Sequence, residues 1–474
     1  MNNLSIFFGN KTKSLRWLFV ILVITFVTSC TPVAVRDKLK CEIPPVNSKP
    51  SKSDDLKVAI YVDGSGSMLG YVKDGKTNYV KALNTIRQVF ELIGQLPVEY
   101  YRNDNPNQKI TSSEYYSYAG SALFYDGSNT KFKPVSSPID AAIIPPPING
   151  KKMTVIITDL EQNKGDVTKL TKKIQDSYFN LDSKDYAVGV WAIKSEFNGT
   201  VYIQEANSLK TFTYSSGKQA DKFRPFYILF IGPYQDIKYY FEYITKYDSQ
   251  DLMANSNLII FHPENIITGI SGLETLPTIK VPGVNRLISL VKNGVSLTKG
   301  NDPGELLQIG DLNQESLTID YSIPFYPAEY NLLIDTDKNY INAKLEVEKF
   351  DEFEQKFKVV NSSDVNSAFQ LTNWDLRESK LNFSALIDPN KFPEPGVYKF
   401  KFDVFAPRLQ APMWWKDWDW EARVNDQDGT KTQNLQEFLI GLKNRTEILQ
   451  SEKLNNSEVN NWLIGRFCYG VQKN

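Results

Sequence analysis

The stretch "YVDGSGSMLGY", residues 61–71, places one carboxylate and two hydroxyls directly after an apolar run. That run, "KVAIYV" (57–62), is continuous and rich in β-branched residues, which is typical of a strand buried on both faces. Asp63, Ser65 and Ser67 then alternate with glycines, which would let the backbone bend closely around an ion. Such an ending indicates a tight turn, a bound metal ion, or both.

Up to about residue 265, apolar runs typical of buried strands alternate with helical patterns. Residues 77–93 place apolar side chains at spacings of three and four, which predicts an amphipathic helix, and 236–247 is helix-like too. This alternation predicts an α/β domain with a doubly wound, mostly parallel sheet. The other predicted strands lie at 98–103, 153–158, 186–193, 226–232 and 257–261.

After about residue 265 the pattern changes to strands in which apolar and polar residues alternate, separated by turn signals such as "PEPG" and "DQDG". One helix is predicted at 434–444. This half therefore reads as a mainly β, sandwich-like C-terminal domain. Its predicted strands lie at 316–323, 342–350, 380–387, 397–405 and 462–470.

A second aspartate, Asp159, ends the strand "MTVIIT" in the same way as Asp63 ends the first strand. In open α/β sheets, ligands bind outside the carboxyl ends of the strands, so both carboxylates are expected at one edge. Carboxylate and hydroxyl oxygens suit Mg²⁺ or Mn²⁺ and suit zinc poorly. Glu161 and Asp166 follow closely, and we interpret them as solvated loop acids.

Two motifs carry a family resemblance. "DGSGSM" (63–68) and "VIITD" (155–159) resemble the metal-ion-dependent adhesion site (MIDAS) of von Willebrand factor type A (VWA) domains, which are Rossmann-like. The family also uses a threonine from a loop between these motifs, where this chain has "VSSPIDAAI" (135–143). By position Ser137 fits the threonine, with Ser136 as the alternative. Ser137 before proline also suits the start of a helix, a role compatible with metal binding.

The resemblance implies metal-dependent binding of an acidic group on a partner protein, and no enzymatic activity. Two aspartates would nearly neutralise a divalent ion and leave it able to accept a third carboxylate. Catalysis would also need a tuned base or nucleophile near the ion. The single histidine, His262, lies outside these loops and no cysteine is near them, so a metal-dependent hydrolase is the least favoured alternative.

The N-terminus predicts export and lipidation. Residues 1–29 combine three basic residues with the apolar run "WLFVILVITFV", as in a signal peptide. The junction "VTSC" resembles the lipobox of bacterial lipoproteins, in which Cys30 would be lipidated. Residues 30–53 hold proline, lysine and serine without periodicity and are expected to form a flexible tether. We therefore expect a lipid-anchored protein of the bacterial cell envelope, and Thr31 favours the outer membrane.

These boundaries predict four segments: the signal peptide 1–29, the tether 30–53, a VWA domain 54–265 and the C-terminal domain 266–474. The formal net charge of −1 gives no indication of a nucleic-acid partner. Outside the lipidation site, Cys41 and Cys468 could pair in an exported protein or remain free thiols.

The C-terminal half contains a tryptophan cluster in "MWWKDWDWE" (413–421). Exposed tryptophans could stack on sugar rings or on a partner protein, which would make this half a cell-wall or glycan-binding module. The other interpretation is that they pack a connecting segment against the second domain, and we prefer it. The four residues are Trp414, Trp415, Trp418 and Trp420.

Overall fold

The structure is a computed structural model, and no helix among its described residues is both long and apolar enough to cross a membrane. Cys30, Cys41 and Ser137, whose roles are predicted from the sequence, lie outside the described residues. The described residues are 50–136, 138–146, 150–161, 164–179, 185–205, 208–247, 250–263, 268–269, 279–280, 287–290, 295–299, 306–309, 316–325, 329–335, 341–377, 380–406, 408–420, 427–453 and 462–473.

The first half contains all six predicted strands and both predicted helices within a few residues of the expected bounds, together with three strands and three α-helices that the pattern did not predict. Its strands are β1 (Leu56–Asp63), β2 (Val98–Asn103), β3 (Gln108–Ile110), β4 (Lys151–Thr158), β5 (Tyr186–Ser195), β6 (Asn198–Glu205), β7 (Ser208–Ser215), β8 (Arg224–Pro233) and β9 (Ser256–Phe261). Its helices are α1 (Asn78–Arg87), which continues as a π-helix (Gln88–Ile93), α2 (Ser112–Tyr118), α3 (Lys164–Tyr178), α4 (Tyr234–Tyr247) and α5 (Gln250–Met253). Short 3₁₀ helices span Gly66–Tyr71, Ala122–Phe124, Ile139–Ala142 and Ala220–Lys222.

Seven of these strands form one mixed sheet in the order β3-β2-β1-β4-β8-β5-β9. Strand β1 is parallel to both β2 and β4, whereas the β2–β3, β4–β8, β5–β8 and β5–β9 pairs are antiparallel. The α/β class is confirmed, but the prediction of a mostly parallel sheet is wrong. All ten residues of β8 are buried, and such apolar runs report burial and not strand direction.

The reversal arises after β5, where the chain extends into the antiparallel hairpin β6–β7 and returns as β8 between β4 and β5. A hairpin-like return gives an antiparallel neighbour, because a parallel neighbour needs a crossover connection. The hairpin lies outside the seven-stranded sheet and forms a two-stranded sheet of its own. It lies beyond the ends of β5 and β8, with Val201 and Ile203 of β6 buried.

The second half is mainly β. Its strands are β10 (Thr268–Gly269), β11 (Ile279–Lys280), β12 (Leu287–Leu290), β13 (Val295–Lys299), β14 (Leu306–Ile309), β15 (Leu317–Pro324), β16 (Asn342–Asp351), β17 (Lys356–Val359), β18 (Phe369–Arg377), β19 (Lys380–Ile387), β20 (Gly396–Ala406), β21 (Asp419–Trp420), β22 (Thr432–Gln433) and β23 (Trp462–Lys473). Its helices are α6 (Ser363–Ala368), α7 (Met413–Asp417) and α8 (Leu435–Lys453), with a 3₁₀ turn at Pro389–Lys391.

Two sheets of this half pack face to face. The larger has the order β11-β12-β13-β14-β23-β20-β16-β17, with β10 also pairing with β23, and the smaller is β15-β19-β18. Aromatic rings join them: Phe383 and Phe467 have ring centroids 5.2 Å apart, and Phe369 and Tyr469 4.7 Å apart. The mainly β character predicted for this half is confirmed. Cys468, on β23, is disulfide-bonded, and whether Cys41 is its partner stays a prediction.

Three of the four clustered tryptophans are buried and the fourth is partly buried, so they do not form the exposed surface that the partner or glycan interpretation needs. Trp415 is fully buried with its ring centroid 5.9 Å from that of Phe261 at the end of β9, and Trp414 is partly buried against the same core. Trp418 and Trp420 are 9% and 8% exposed. The apolar area of these rings is used to join the second half to the seven-stranded sheet.

Candidate metal centre at the ends of the central strands

The parallel strands β1 and β4 end side by side and bring two aspartates to one edge of the sheet. Val62 pairs with Ile157, so the next residues, Asp63 and Thr158, are neighbours. The hydroxyl of Thr158 donates to Oδ2 of Asp63 at 2.8 Å, and Asp159 follows directly. Both aspartates are buried and line the same cavity. The sequence motif indicated the two aspartates, but it gave no signal for Thr158.

The serines of the motif lie at the same cavity. Ser65 donates its backbone N–H to Oδ1 of Asp63 at 2.9 Å, which closes the turn expected from the sequence. The hydroxyls of Ser65 and Ser67 are 2.9 Å apart, at the start of the 3₁₀ helix that follows. One short segment therefore presents a carboxylate and two hydroxyls to one point, as the alternate spacing predicts.

The charges at this point are unfavourable unless a cation offsets them. Burial and the nearby charge of Asp63 raise the pKa of Asp159 to about 6, although Arg224 and the hydroxyl of Ser67 act in the opposite direction. Oδ2 of Asp159 is buried, and no hydrogen-bond partner for it exists among the described residues. A buried acceptor of this kind, next to a second carboxylate, fits a hard divalent cation.

The composition of the donor set decides which metals it suits. Within the described ranges, no three or more His, Cys, Asp and Glu side chains are grouped in a way that could hold a metal ion. A cation here would rely on the carboxylates of Asp63 and Asp159, the hydroxyls of Ser65 and Ser67, and water. Mg²⁺ is commonly held by one or two carboxylates with several retained waters, so the residues fit Mg²⁺ or Mn²⁺ and do not fit zinc.

Arg102, at the end of β2, fixes the motif loop through hydrogen bonds to backbone carbonyl oxygens. Its guanidinium donates to the carbonyl oxygens of Gly64 at 2.9 Å, Phe124 at 3.0 Å and Lys133 at 2.7 Å. Burial lowers the pKa of Arg102, and the charge of Asp63 opposes this effect. One buried side chain thus joins the motif loop to two other segments. The sequence signal for it was a single charge in the strand "VEYYRN", which sequence reasoning missed.

The close approach of Arg102 explains the first glycine of the motif. A Cβ atom on Gly64 would lie 2.4 Å from Nε of Arg102, whereas one on Gly66 would meet only the hydroxyl of Tyr202, at 3.4 Å. Neither glycine adopts the left-handed conformation. Gly64 is therefore required because Arg102 leaves no room for a side chain at this position. The backbone conformation does not require glycine at either position.

Glu161 is a buried partner of Arg224, and its interpretation as a solvated loop acid is wrong. The two side chains are 3% and 1% exposed and form an ion pair. Burial raises the pKa of Glu161, and the guanidinium of Arg224 opposes that rise. Burial alone would lower the pKa of Arg224, but the neighbouring carboxylates more than offset this and keep it charged. Sequence reasoning missed Arg224 because it lies far from Glu161 along the chain.

The cavity at this edge has a volume of about 540 Å³. It is large enough for several side chains of a ligand. Ser136 is exposed and lines it, and Asp166 also lies on its wall. The metal role predicted for Ser137 stays a prediction. The other lining residues are Asp63, Ser65, Gly66, Ser67, Pro134, Val135, Pro138, Ile139, Asp140, Asp159, Glu161, Lys169, Tyr202 and Leu209.

Comparison of the chain with protein-family models, curated proteins and solved structures finds no match. The function of the site has to be inferred from its own geometry and chemistry.

Proposed function

We propose that this chain is a VWA-like protein that binds Mg²⁺ or Mn²⁺ at Asp63, Ser65, Ser67 and Asp159 and thereby holds an acidic group of a partner protein. The observation that carries the proposal is the convergence of two buried carboxylates and two hydroxyls on one open cavity, with a buried carboxylate oxygen of Asp159 left without a hydrogen bond among the described residues. The resemblance of both sequence motifs to the MIDAS is independent support.

The residues of this chain would act as a preformed cradle. Thr158 and the backbone of Ser65 orient Asp63, and Arg102 holds the loop that carries it. The chemistry that Mg²⁺ or Mn²⁺ supplies at such a site is attraction of one more oxygen ligand, such as a carboxylate. Binding fits better than hydrolysis, because neither histidine nor cysteine is among the described residues that line the cavity.

The lipobox-like segment ending at Cys30 supports attachment of the chain to a membrane of the bacterial cell envelope, with the outer membrane favoured. The tether would carry the binding site outside the cytoplasm. Residue Ser53 at the end of the tether donates two hydrogen bonds, both of 2.7 Å, to Asp236 at the start of α4. This docking is next to the amino end of β1, whereas the candidate metal centre is at its carboxyl end, so the site would face away from the anchor.

The first test is calorimetric titration of the full chain, purified in detergent, with Mg²⁺ and Mn²⁺. Wild type should bind one ion, and Asp63→Asn should weaken binding at least tenfold. Asp126→Asn is a matched control, because Asp126 begins a second Asp-Gly-Ser turn, accepts from the backbone of Ser128 at 2.8 Å and is exposed. Equal Mg²⁺ affinity of wild type and Asp63→Asn would refute the metal site.

The second test concerns the partner. Immobilised wild-type chain should capture a protein from envelope extracts in Mg²⁺ and release it in chelator. Asp63→Asn should capture nothing in either condition, and Asp126→Asn should behave as wild type. Capture by Asp63→Asn in chelator of the same protein that wild type captures in Mg²⁺ would contradict metal-dependent recognition.

A further inference from the structure

The cavity extends beyond its oxygen ligands to the hairpin β6–β7. The hairpin packs closely on the 3₁₀ helix that follows the motif, since a Cβ atom on Gly199 would lie 2.8 Å from Cα of Gly70. From this position Tyr202 of β6 and Leu209 of β7 both line the cavity. Neither is part of the motif. The hairpin thus forms one wall of the cavity without contributing any of the proposed ligands of the ion.

Tyr202 offers a hydrogen-bond donor on the lining of the cavity, next to the motif loop. Its hydroxyl lies 3.4 Å from where a Cβ atom on Gly66 would be, between Ser65 and Ser67 in the sequence. Among the described residues the hydroxyl of Tyr202 has no hydrogen-bond partner, and the residue is partly exposed. A phenolic hydroxyl there can donate to the second oxygen of a carboxylate held at the floor.

Leu209 gives the same wall an apolar surface. Its side chain is 59% exposed although it lines the cavity. Another part of the lining is also apolar, from Pro134, Val135, Pro138 and Ile139. A ligand that consisted of a carboxylate alone would leave this surface in contact with water. Apolar area beside an oxygen-rich floor therefore fits a ligand that carries both kinds of group.

We propose that this cavity selects a peptide segment in which an acidic residue has an apolar neighbour. The hydroxyl of Tyr202 donates to the acidic side chain, and Leu209 covers the apolar one. This inference rests on the proposed function and specifies the partner of the same site. It makes the β6–β7 hairpin the element that determines specificity, whereas affinity for the acid would come from the divalent ion that Asp63 and Asp159 hold.

The probes are three fluorescent nonapeptides, Gly-Ser-Gly-X-Glu-X-Gly-Ser-Gly with X as Leu or Ser, and the Leu version with Gln in place of Glu. Anisotropy titrations use the full chain in Mg²⁺. The Leu-Glu-Leu peptide should bind about tenfold more tightly than Ser-Glu-Ser, the size expected for covering part of a leucine, and the Gln peptide should not bind. Tyr202→Phe should lower the affinity for both Glu peptides by the same factor, because both lose the hydrogen bond to the acidic side chain.

Leu209→Ser should abolish the preference for leucine and keep the requirement for Glu. Leu92→Ser is the matched control, because Leu92 is 62% exposed on the π-helix and does not line the cavity. It should leave the tenfold preference unchanged. Equal binding of both Glu peptides to wild type, or a preference that survives Leu209→Ser, overturns the inference. So does the absence of peptide binding to a chain that binds Mg²⁺, whereas absence of Mg²⁺ binding refutes the proposed function itself.

Discussion

Glu161 and Arg224 form a buried ion pair beside the candidate metal centre. Arg224 also donates to the carbonyl oxygens of Gly429 at 3.0 Å and Lys431 at 3.1 Å, in the second half of the chain. Three residues further along β8, the hydroxyl of Tyr227 donates to the hydroxyl of Thr432 at 3.0 Å. The acidic end of β4 is thus connected through one guanidinium to a segment more than two hundred residues away.

This ion pair should show strong coupling in a double-mutant cycle. Arg224→Met leaves Glu161 buried without its charge partner and should lower the free energy of unfolding by about 3 kcal/mol. Glu161→Met should cost a similar amount, because it leaves Arg224 uncompensated. The double variant should be more stable than Arg224→Met. Urea unfolding of all four proteins measures the coupling, and additive losses would show that the two charges do not stabilise each other.

The two glycines of the motif should differ in their tolerance of alanine. Gly64→Ala places a Cβ atom against Arg102 and should lower the free energy of unfolding by about 1–3 kcal/mol, the usual cost of overpacking. In Gly66→Ala the new Cβ atom contacts only the hydroxyl of Tyr202, at an ordinary distance. This substitution should change the free energy of unfolding by less than about 0.5 kcal/mol. Thermal unfolding in chelator compares them without metal, and equal losses would contradict the role given to Arg102.

Metal should stabilise wild type and not Asp159→Asn. Ligand at one hundred times its Kd adds about 2.7 kcal/mol, which should raise the Tm of wild type by roughly 5 °C. In chelator, Asp159→Asn should be at least as stable as wild type, because it removes one of two buried like charges. Scanning fluorimetry with Mg²⁺ and with chelator measures both effects. A rise of equal size in the variant would exclude Asp159 as a ligand.

Buried tryptophans should matter for stability and not for sugar binding. Trp415→Ala removes a fully buried ring and should lower the free energy of unfolding by about 3–5 kcal/mol. Trp414→Ala removes a partly buried ring and should cost less. Urea unfolding gives the two values. A Trp415→Ala protein of wild-type stability that no longer binds peptidoglycan would restore the glycan-binding interpretation.

Local features of the chain were predictable from the sequence. Strand β1, the carboxylates that end β1 and β4, and the turn at Ser65 follow from patterns within a few residues, because burial and capping act over that range. Those patterns carry no strand direction. For this reason the sequence predicts a mostly parallel sheet, whereas β8 lies antiparallel to β4.

By itself the sequence determined which oxygen atoms end the central strands and in what order the buried elements occur. Only the tertiary structure decided what surrounds those atoms. Arg102 reaches Gly64 across 38 positions and Arg224 reaches Glu161 across 63, and the hairpin carries Tyr202 to the same cavity. Such contacts depend on which strands become neighbours, and strand pairing is a property of the whole packed chain and not of any one segment.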